Sequence, residues 1–197
     1  MNPFITWIII ILFGYLMGSI SFGVIIGKMF GNIDIRSRGS GNTGMTNVWR
    51  VLGMKPGALV FVGDLAKGAI PAIIGLRFGG EALCALAGTA AMLGHSYPVF
   101  FGFRGGRGVS TGLGICLVLQ PIAALSAVIA FVVTLIARRM VSLSSITGVT
   151  AALLYCLFTR QSVVVRCTVM VFFAIIVLRH IPNIKRIING TESKISK

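Results

Sequence analysis

The distribution of apolar residues along the chain predicts a bundle of membrane-spanning helices. Apolar runs occupy about 4–29, 57–78, 82–101, 121–137, 143–159 and 161–179. Most of them are long enough to cross a hydrocarbon core of ~30 Å as a helix. A shorter run, 109–119, ends at Gln120-Pro121, a pair that favours a turn. We therefore expect an all-α fold, a polytopic membrane helical bundle. No linker, low-complexity stretch or repeat is visible, so we expect one domain over 1–197.

The positions of the basic residues decide how many times the chain crosses. With a turn at Gln120-Pro121 and the N-terminus outside, 15 of the 18 Lys and Arg residues face the cytoplasm, and treating 109–136 as one crossing divides them 10 to 8. Because cytoplasmic loops carry the excess of positive charge, we predict seven transmembrane helices with the C-terminus in the cytoplasm. The stretch Val109 to Leu119 is only about 16 Å of helix, so it must be a short piece shielded by its neighbours.

Composition supports a membrane setting and narrows the partners. The 197 residues are 56% hydrophobic, with 18 basic and 4 acidic side chains, and the mean hydropathy is +0.95. The basic residues lie at the ends of apolar segments, as cytoplasmic loops and anionic lipid surfaces require, so we expect membrane lipid and no nucleic acid as a partner. The four cysteines lie in apolar runs without metal-binding spacing, so we expect neither a disulfide framework nor a metal site.

A glycine-rich segment from Gly39 to Arg50 is the first candidate site. Its spacing is that of a nucleotide-binding P-loop, but Met45 occupies the position of the phosphate-binding lysine. A phosphate can still bind there, because the glycines turn N–H groups inward and a helix can open at the anion. Four polar side chains would then share one helical face, namely Thr43, Thr46, Asn47 and Arg50. The alternative is a Gly/Asn-rich reverse turn between two spans.

A second glycine-rich segment, 94–111, is the other candidate anion site. Three glycines in four positions form a flexible nest, Gly105, Gly106 and Gly108, beside the positive charges of Arg104 and Arg107. Ser110 and Thr111 fall in the first turn of the next helix, where the helix dipole favours a phosphate. The alternative is an arginine-rich anchor to lipid head groups.

A charged pair lies inside the second span. Asp64 and Lys67 are three residues apart on one helical face, near its inner end. An intramembrane ion pair indicates function by default, but mutual neutralisation that locates the helix end explains it equally well. His95, which precedes Pro98 in an aromatic stretch, is interpreted as a hydrogen-bonded structural group.

Two further polar pairs lie in the second half of the chain. Ser142 and Ser145 share a helix face and can donate to a phosphate, although an N-cap by Ser142 is an equally good interpretation. His180 and Asn183, three residues apart at the end of the last span, can reach one pocket. Ordinary compensation of the helix dipole by basic residues is the alternative there.

Taken in order, these motifs resemble those of the bacterial acyl-phosphate:glycerol-3-phosphate acyltransferases. The matching segments are Gly39-Ser40-Gly41-Asn42 through Arg50, Asp64-x-x-Lys67-Gly68, Gly94 to Gly108, Ser142-Leu143-x-Ser145 and Arg179-His180-x-x-Asn183-Ile184. The resemblance implies seven spans in the bacterial plasma membrane and an active site on the cytoplasmic face. It implies transfer of a fatty acyl group from acyl phosphate to the 1-position of sn-glycerol-3-phosphate, giving lysophosphatidic acid. No cofactor and no obligate protein partner are expected.

The resemblance also assigns site residues. It implies that the phosphates are held and the acceptor hydroxyl oriented by Ser40, Thr46, Asn47, Arg50, Arg107, Ser142, His180 and Asn183. The loop and pair arguments add Gly41, Asn42, Lys67, Arg104, Gly105, Gly106, Gly108 and Ser145 to the phosphate-binding set. We expect His180, Asn183 and Arg50 to be catalytic. Family members often have Lys where this chain has Arg104 and Arg107, which keeps the charge but changes the donor geometry.

The absence of a nucleophile indicates the type of reaction. The sequence shows no paired carboxylates, no H-x-x-x-x-D motif and no G-x-S-x-G elbow. An acyl phosphate is already activated, so the protein need only hold two anions in line. We expect direct attack by the C1 hydroxyl, with a substrate phosphate oxygen or His180 accepting the proton. The alternatives are a phosphate or organophosphate transporter and an inert scaffold at the lipid surface.

Overall fold

The computed structural model describes residues 2–195. Within this range the fold is all-α, with α-helices, short 3₁₀ turns and no strands. The prediction of an all-α protein is confirmed. The α-helices are α1 Pro3–Gly18, α2 Phe22–Gly31, α3 Met45–Leu52, α4 Met54–Ser96, α5 Val109–Leu119, α6 Pro121–Arg138, α7 Val141–Phe158, α8 Val163–Arg179 and α9 Ile181–Ile188. Short 3₁₀ turns lie at Ile35–Ser37 and Val99–Phe101.

The chain divides into two compact units, Met1–Leu119 with helices α1 to α5 and Gln120–Lys197 with helices α6 to α9. Each unit has its own helix packing. The expectation of one domain over 1–197 stays a prediction.

Helix α4 of the first unit is a hairpin of two arms. Its dihedral angles leave the helical region at Gly79 and at Gly80, where φ is 63°. A Cβ added at Gly75 would lie 2.5 Å from the carbonyl oxygen of Leu83. Eight residues of straight helix would separate these positions by about 12 Å, so the chain folds back and the arms pack against each other. The two predicted runs at 57–78 and 82–101 correspond to these arms.

Small residues bring α1 and α5 into close contact with α4. A Cβ added at Gly18 would overlap the carbonyl oxygen of Ala91, and one at Gly14 would overlap that of Ala87. This is the small-xxx-small packing that brings helix backbones together in lipid. In α5, a Cβ at Gly114 would overlap the carbonyl oxygen of Leu65. The short helix is therefore shielded by its neighbour, as its length required.

The second unit is built on an antiparallel pair, α6 and α7. The hydroxyl of Thr147 donates to that of Thr134 over 2.9 Å, and the amide of Gln120 donates to that of Gln161 where the chain leaves α7. Helix α8 follows, and α9 continues after a bend of 58°. His180 lies at this bend, since it caps the end of α8 and the start of α9.

Four helical segments in the described range are long and apolar enough to span a membrane, Pro3–Gly31, Met54–Phe101, Pro121–Arg138 and Val141–Phe158. The bent pair α8 and α9 adds a fifth when taken as one span. The Met54–Phe101 segment contains both arms of α4, and α5 is a shorter apolar helix. Six of the seven predicted segments are thus a single helix or a helical arm, and the first, 4–29, is divided between α1 and α2. The number of crossings and the side on which each terminus lies stay predictions.

Candidate functional site

The first glycine-rich loop connects α2 to α3 and has the backbone of a tight, ordered turn. Gly39 and Gly41 have φ values of 57° and 70°, in the left-handed region that favours glycine. Gly44 is the N-cap of α3 and offers no side chain, so the N–H groups of the first turn lack a side-chain cap. The loop therefore ends in a helix N-terminus whose polarity favours an anion.

Asn47 holds this loop in place from inside. Its Oδ1 accepts a hydrogen bond from the Ser40 N–H over 2.8 Å. Its Nδ2 lies within hydrogen-bond distance of three carbonyl oxygens, those of Ile35, Arg38 and Asn42, at 3.2, 3.0 and 2.9 Å. Because Asn47 is 1% exposed, its amide serves the loop backbone. The direct phosphate contact expected of it stays a prediction.

The predicted polar face of α3 is only partly open. Thr43, like Asn47, is buried, whereas Thr46 is half-buried and Arg50 is exposed. Thr43 precedes α3 in the loop, and Asn47 is the buried α3 side chain that faces the loop backbone. Ser40 is exposed, and the side chain of Asn42 accepts from the Gly44 N–H over 2.8 Å. Ser40, Thr46 and Arg50 are therefore among the side chains of this segment that a ligand can reach.

An arginine links the first loop to the second. The guanidinium of Arg36 binds both carboxylate oxygens of Asp34, with Nη2–Oδ2 at 2.7 Å, and its Nη1 donates to the Phe101 carbonyl oxygen over 2.9 Å. Hydrogen bonds from Arg36 lower the pKa of Asp34 to about 2. Because this pKa is depressed in the folded protein, the ionised Asp34 carboxylate stabilises the fold. Its contribution to the free energy of unfolding is complete above the ordinary pKa near 3.8 and is lost as pH falls through about 2.

Glycine is required at the positions of the second loop for different structural reasons. Gly108 has a φ of 83°, the left-handed conformation expected of a nest. Gly105 and Gly106 are instead packed against His95, where a Cβ on either would overlap His95 atoms. These two glycines are therefore required for packing against His95, and the flexible three-glycine nest stays a prediction. Arg104 is exposed and Arg107 is half-buried.

Lys67 is not open to a ligand in this structure. Its ammonium lies 2.8 Å from Asp64 Oδ1 and donates to the Ile20 carbonyl oxygen over 2.7 Å. The Lys67 residue is 1% exposed. The ion pair inferred from the sequence is present, and the phosphate contact proposed for Lys67 stays a prediction.

A carboxylate organises the polar residues of the second unit. Glu192 Oε1 accepts from the Ser142 hydroxyl over 2.7 Å and from Asn183 Nδ2 over 2.6 Å. Its Oε2 accepts from Arg186 Nε over 2.7 Å. Partial burial alone would raise the pKa of Glu192, but these three hydrogen bonds outweigh it and hold the pKa below its ordinary value. The ionised carboxylate therefore joins the C-terminal segment, which contains Glu192, to α7 and α9.

The remaining predicted residues of this unit are also buried. The N-cap of α7 is Met140, so the alternative that Ser142 caps the helix was wrong. Ser145 donates to the Val141 carbonyl oxygen of its own helix. His180 is 1% exposed, with Nδ1 2.8 Å from the Ile176 carbonyl oxygen. Asn183 keeps its Oδ1 without a hydrogen-bond partner among residues 2–195.

Sequence reasoning missed Arg36 and Glu192. The Asp34-x-Arg36 spacing was a usable signal, since two opposite charges in one short loop commonly pair. Glu192 is the only acidic residue in a basic C-terminal segment, nine positions after Asn183, and that isolation was the available signal.

Comparison with known proteins places this architecture in one family. A family model described as glycerol-3-phosphate acyltransferase matches residues 8–190. The glycerol-3-phosphate acyltransferase of Geobacillus kaustophilus (strain HTA426) is 43% identical over 187 residues, 95% of each chain. That of Aquifex aeolicus (strain VF5) is 43% identical over 187 residues, 94% of this chain and 97% of the relative.

Solved structures agree with the family model. The crystal structure of PlsY, an integral membrane glycerol 3-phosphate acyltransferase, in its glycerol 3-phosphate form matches with a TM-score of 0.93 and 42% identity over 96% of each chain. The lysophosphatidic acid form matches with a TM-score of 0.91 and 41% identity over 96% of this chain and 95% of that chain. The fold is that of an integral membrane acyltransferase, and the chain belongs to the glycerol-3-phosphate acyltransferase family.

The link made by Arg36 is testable with a matched pair of variants. We expect Arg36→Lys to raise the KM for a phosphorylated substrate about tenfold, because lysine cannot bind both Asp34 oxygens and also reach the Phe101 carbonyl. Steady-state acyltransferase kinetics measure this. Arg38→Lys is the control, since Arg38 is exposed in the same loop. Equal KM values in the two variants would contradict the link.

The Glu192 cluster makes a separate prediction. Glu192→Gln removes the negative charge that three donors share, so we expect a stability loss of about 2 kcal/mol and a lowered acyltransferase rate. Thermal unfolding of the purified protein and its kcat measure the two effects. Glu81→Gln, an exposed residue at the α4 hairpin, is the control. Wild-type stability in Glu192→Gln would show that the shared charge is unimportant.

Proposed function

We propose that this chain transfers a fatty acyl group from acyl phosphate to the 1-hydroxyl of sn-glycerol-3-phosphate, releasing lysophosphatidic acid and inorganic phosphate. Family membership across residues 8–190 is the main evidence for the acyltransferase activity. The similarity to PlsY structures in glycerol 3-phosphate and lysophosphatidic acid forms supports the acceptor and the product. The two glycine-rich loops, each ending at a helix N-terminus, support phosphate in both substrates.

The reaction needs no covalent enzyme intermediate. The acceptor oxygen attacks the acyl carbonyl carbon, the new ester bond forms, and the bond between that carbon and the phosphate oxygen breaks. The phosphate leaves with the electron pair, and the hydroxyl proton passes to a phosphate oxygen or to His180. Holding the reactants in line and stabilising the developing charge are then the tasks of the protein.

In the first unit, we assign phosphate binding to the reachable groups of the two loops. Ser40, Thr46 and Arg50, with the uncapped N–H groups at the start of α3, would hold one phosphate. Arg104 and Arg107, beside the start of α5, would hold another. These assignments rest on exposure, charge and helix polarity.

In the second unit, the assignments follow the motif resemblance. His180 and Asn183 are proposed catalytic residues of this unit, as Arg50 is of the first unit, and Ser142 is a proposed substrate contact. The support is that Glu192 orients Ser142 and Asn183 by direct hydrogen bonds. Asn183 Oδ1 is buried without a hydrogen-bond partner among residues 2–195, so it would accept from a hydroxyl that binds beside it.

We further propose a location and an orientation. The protein would lie in the bacterial plasma membrane with seven crossings, its N-terminus outside and the active site on the cytoplasmic face. The excess of Lys and Arg in the predicted inner loops supports this arrangement. Membrane lipid is then the surrounding medium and the destination of the product.

The proposed reaction is tested with purified protein, an acyl phosphate and labelled glycerol-3-phosphate. We expect labelled lysophosphatidate and one phosphate released for each ester formed, and no product when acyl coenzyme A or acyl carrier protein replaces the donor. Arg50→Ala should lower the rate at least about a hundredfold, because a charged phosphate ligand is lost.

The controls of this assay distinguish the other functions. Arg77→Ala, at the far end of the first arm of α4, should retain the wild-type rate. Product formed from acyl coenzyme A alone would overturn the donor assignment. Glycerol-3-phosphate flux into liposomes without an acyl donor, and without ester formation, would favour a transporter.

A further inference from the structure

Three ionisable side chains are buried together inside the first unit, and none is among the groups that a ligand can reach. Lys67, Asp64 and His95 are 1%, 2% and 5% exposed. Asp64 and Lys67 lie on the first arm of α4, and His95 lies at the end of the second arm. Asp64 Oδ1 lies 2.8 Å from Lys67 Nζ and 3.5 Å from His95 Nδ1, so one carboxylate oxygen joins the two arms.

The ammonium of Lys67 also reaches the break between α1 and α2. It donates to the carbonyl oxygen of Ile20 over 2.7 Å and lies 5.9 Å from the centre of the Phe22 ring. Ile20 falls between the two helices, where a carbonyl oxygen has no place in a continuous helical hydrogen-bond ladder. The lysine therefore satisfies a backbone group that the break in the helix would otherwise leave unpaired.

His95 connects this network to the second glycine-rich loop. Its carbonyl oxygen accepts from the Gly106 N–H over 3.0 Å. Its ring occupies the space that a Cβ on Gly106 would need, and its carbonyl oxygen occupies the space beside Gly105. The position of His95 therefore directly determines the backbone conformation next to Arg104 and Arg107.

Stability alone is a weak explanation for such a pair. A buried ion pair loses about as much in desolvation as it gains in attraction, and apolar residues of similar volume often replace it without loss. A buried pair is better explained when its geometry has a further use. Here the Asp64–Lys67 pair sets the position of His95, and His95 sets the conformation of the second glycine-rich loop.

We propose that Asp64, Lys67 and His95 are positioning residues of the acyltransferase: the buried ion pair fixes His95, and His95 fixes the Gly105–Gly106 backbone that presents Arg104 and Arg107. This inference rests on the proposed phosphate-binding role of that loop. The three residues act through the loop, and for Lys67 this role takes the place of the phosphate contact expected from the sequence.

A double-mutant cycle between His95 and Gly106 tests the proposal. Gly106→Ala forces a methyl group against the His95 ring, so we expect the KM for at least one phosphorylated substrate to rise about tenfold or more with a smaller change in kcat. His95→Ala removes the ring and should also raise KM. In the double variant the methyl group occupies the vacated space, so the combined loss should be at least about tenfold smaller than the product of the single losses.

A second glycine supplies the additive baseline. Gly88 lies on the same arm of α4, seven residues from His95, and a Cβ there meets Ile115 of α5. The activity losses caused by Gly88→Ala and His95→Ala should multiply, because sites that lie about 10 Å apart are usually independent. If His95→Ala does not fold, His95→Asn keeps a donor beside Asp64 while removing the part of the ring over Gly106.

The outcomes separate this inference from the proposed function. Multiplicative losses in the His95 and Gly106 cycle, in a protein whose wild type makes lysophosphatidate, would overturn the positioning role and leave the function intact. Lowered thermal stability with unchanged KM in every variant would also overturn it. A wild type without acyltransferase activity would instead remove the function on which the inference rests.

Discussion

The structure depends on the requirement that polar groups withdrawn from water find partners inside the protein. Lipid offers no hydrogen bonds, so irregular backbone is tolerated at membrane depth only where protein groups satisfy it. The buried ammonium of Lys67 meets this requirement between Asp64 and the Ile20 carbonyl oxygen. The break in the first helical segment can therefore exist because a charged residue of another helix reaches it.

The same requirement shapes both glycine-rich loops. Asn47 supplies hydrogen bonds to the first loop from inside, Arg36 joins that loop to the Phe101 carbonyl, and His95 holds the second loop through Gly106. Each of these groups serves backbone, which leaves the exposed Ser40, Arg50 and Arg104 for ligands. Fixed loops reduce the conformational freedom lost when an anion binds, which is the general advantage of a preorganised site.

Much of the fold was predictable because lipid imposes long apolar helices. The runs at 121–137 and 143–159 became α6 and α7, and the turn at Gln120-Pro121 separates α5 from α6 as expected. The length of 109–119 alone required a shielded helix, and the structure has that helix with the predicted bounds.

The candidate site was less predictable because its contacts are long-range or serve the backbone. Asn47 carried the right residue type for phosphate, but only the fold shows its amide turned toward the loop carbonyls. The contact from Arg36 to Phe101 spans 65 positions in sequence. Glu192 reaches Ser142 across 50 positions. Local spacing holds no information about such pairs.

The central claim is that two loops, fixed by buried side chains, bind the phosphates of the substrates. An experimental structure of this chain with glycerol-3-phosphate bound tests it most directly. We expect the phosphate within hydrogen-bond distance of a loop N–H group and of Arg50, Arg104 or Arg107, with the Asn47 and Arg36 contacts unchanged. A phosphate bound away from both loops, or loops that refold around it with those contacts broken, would contradict the account.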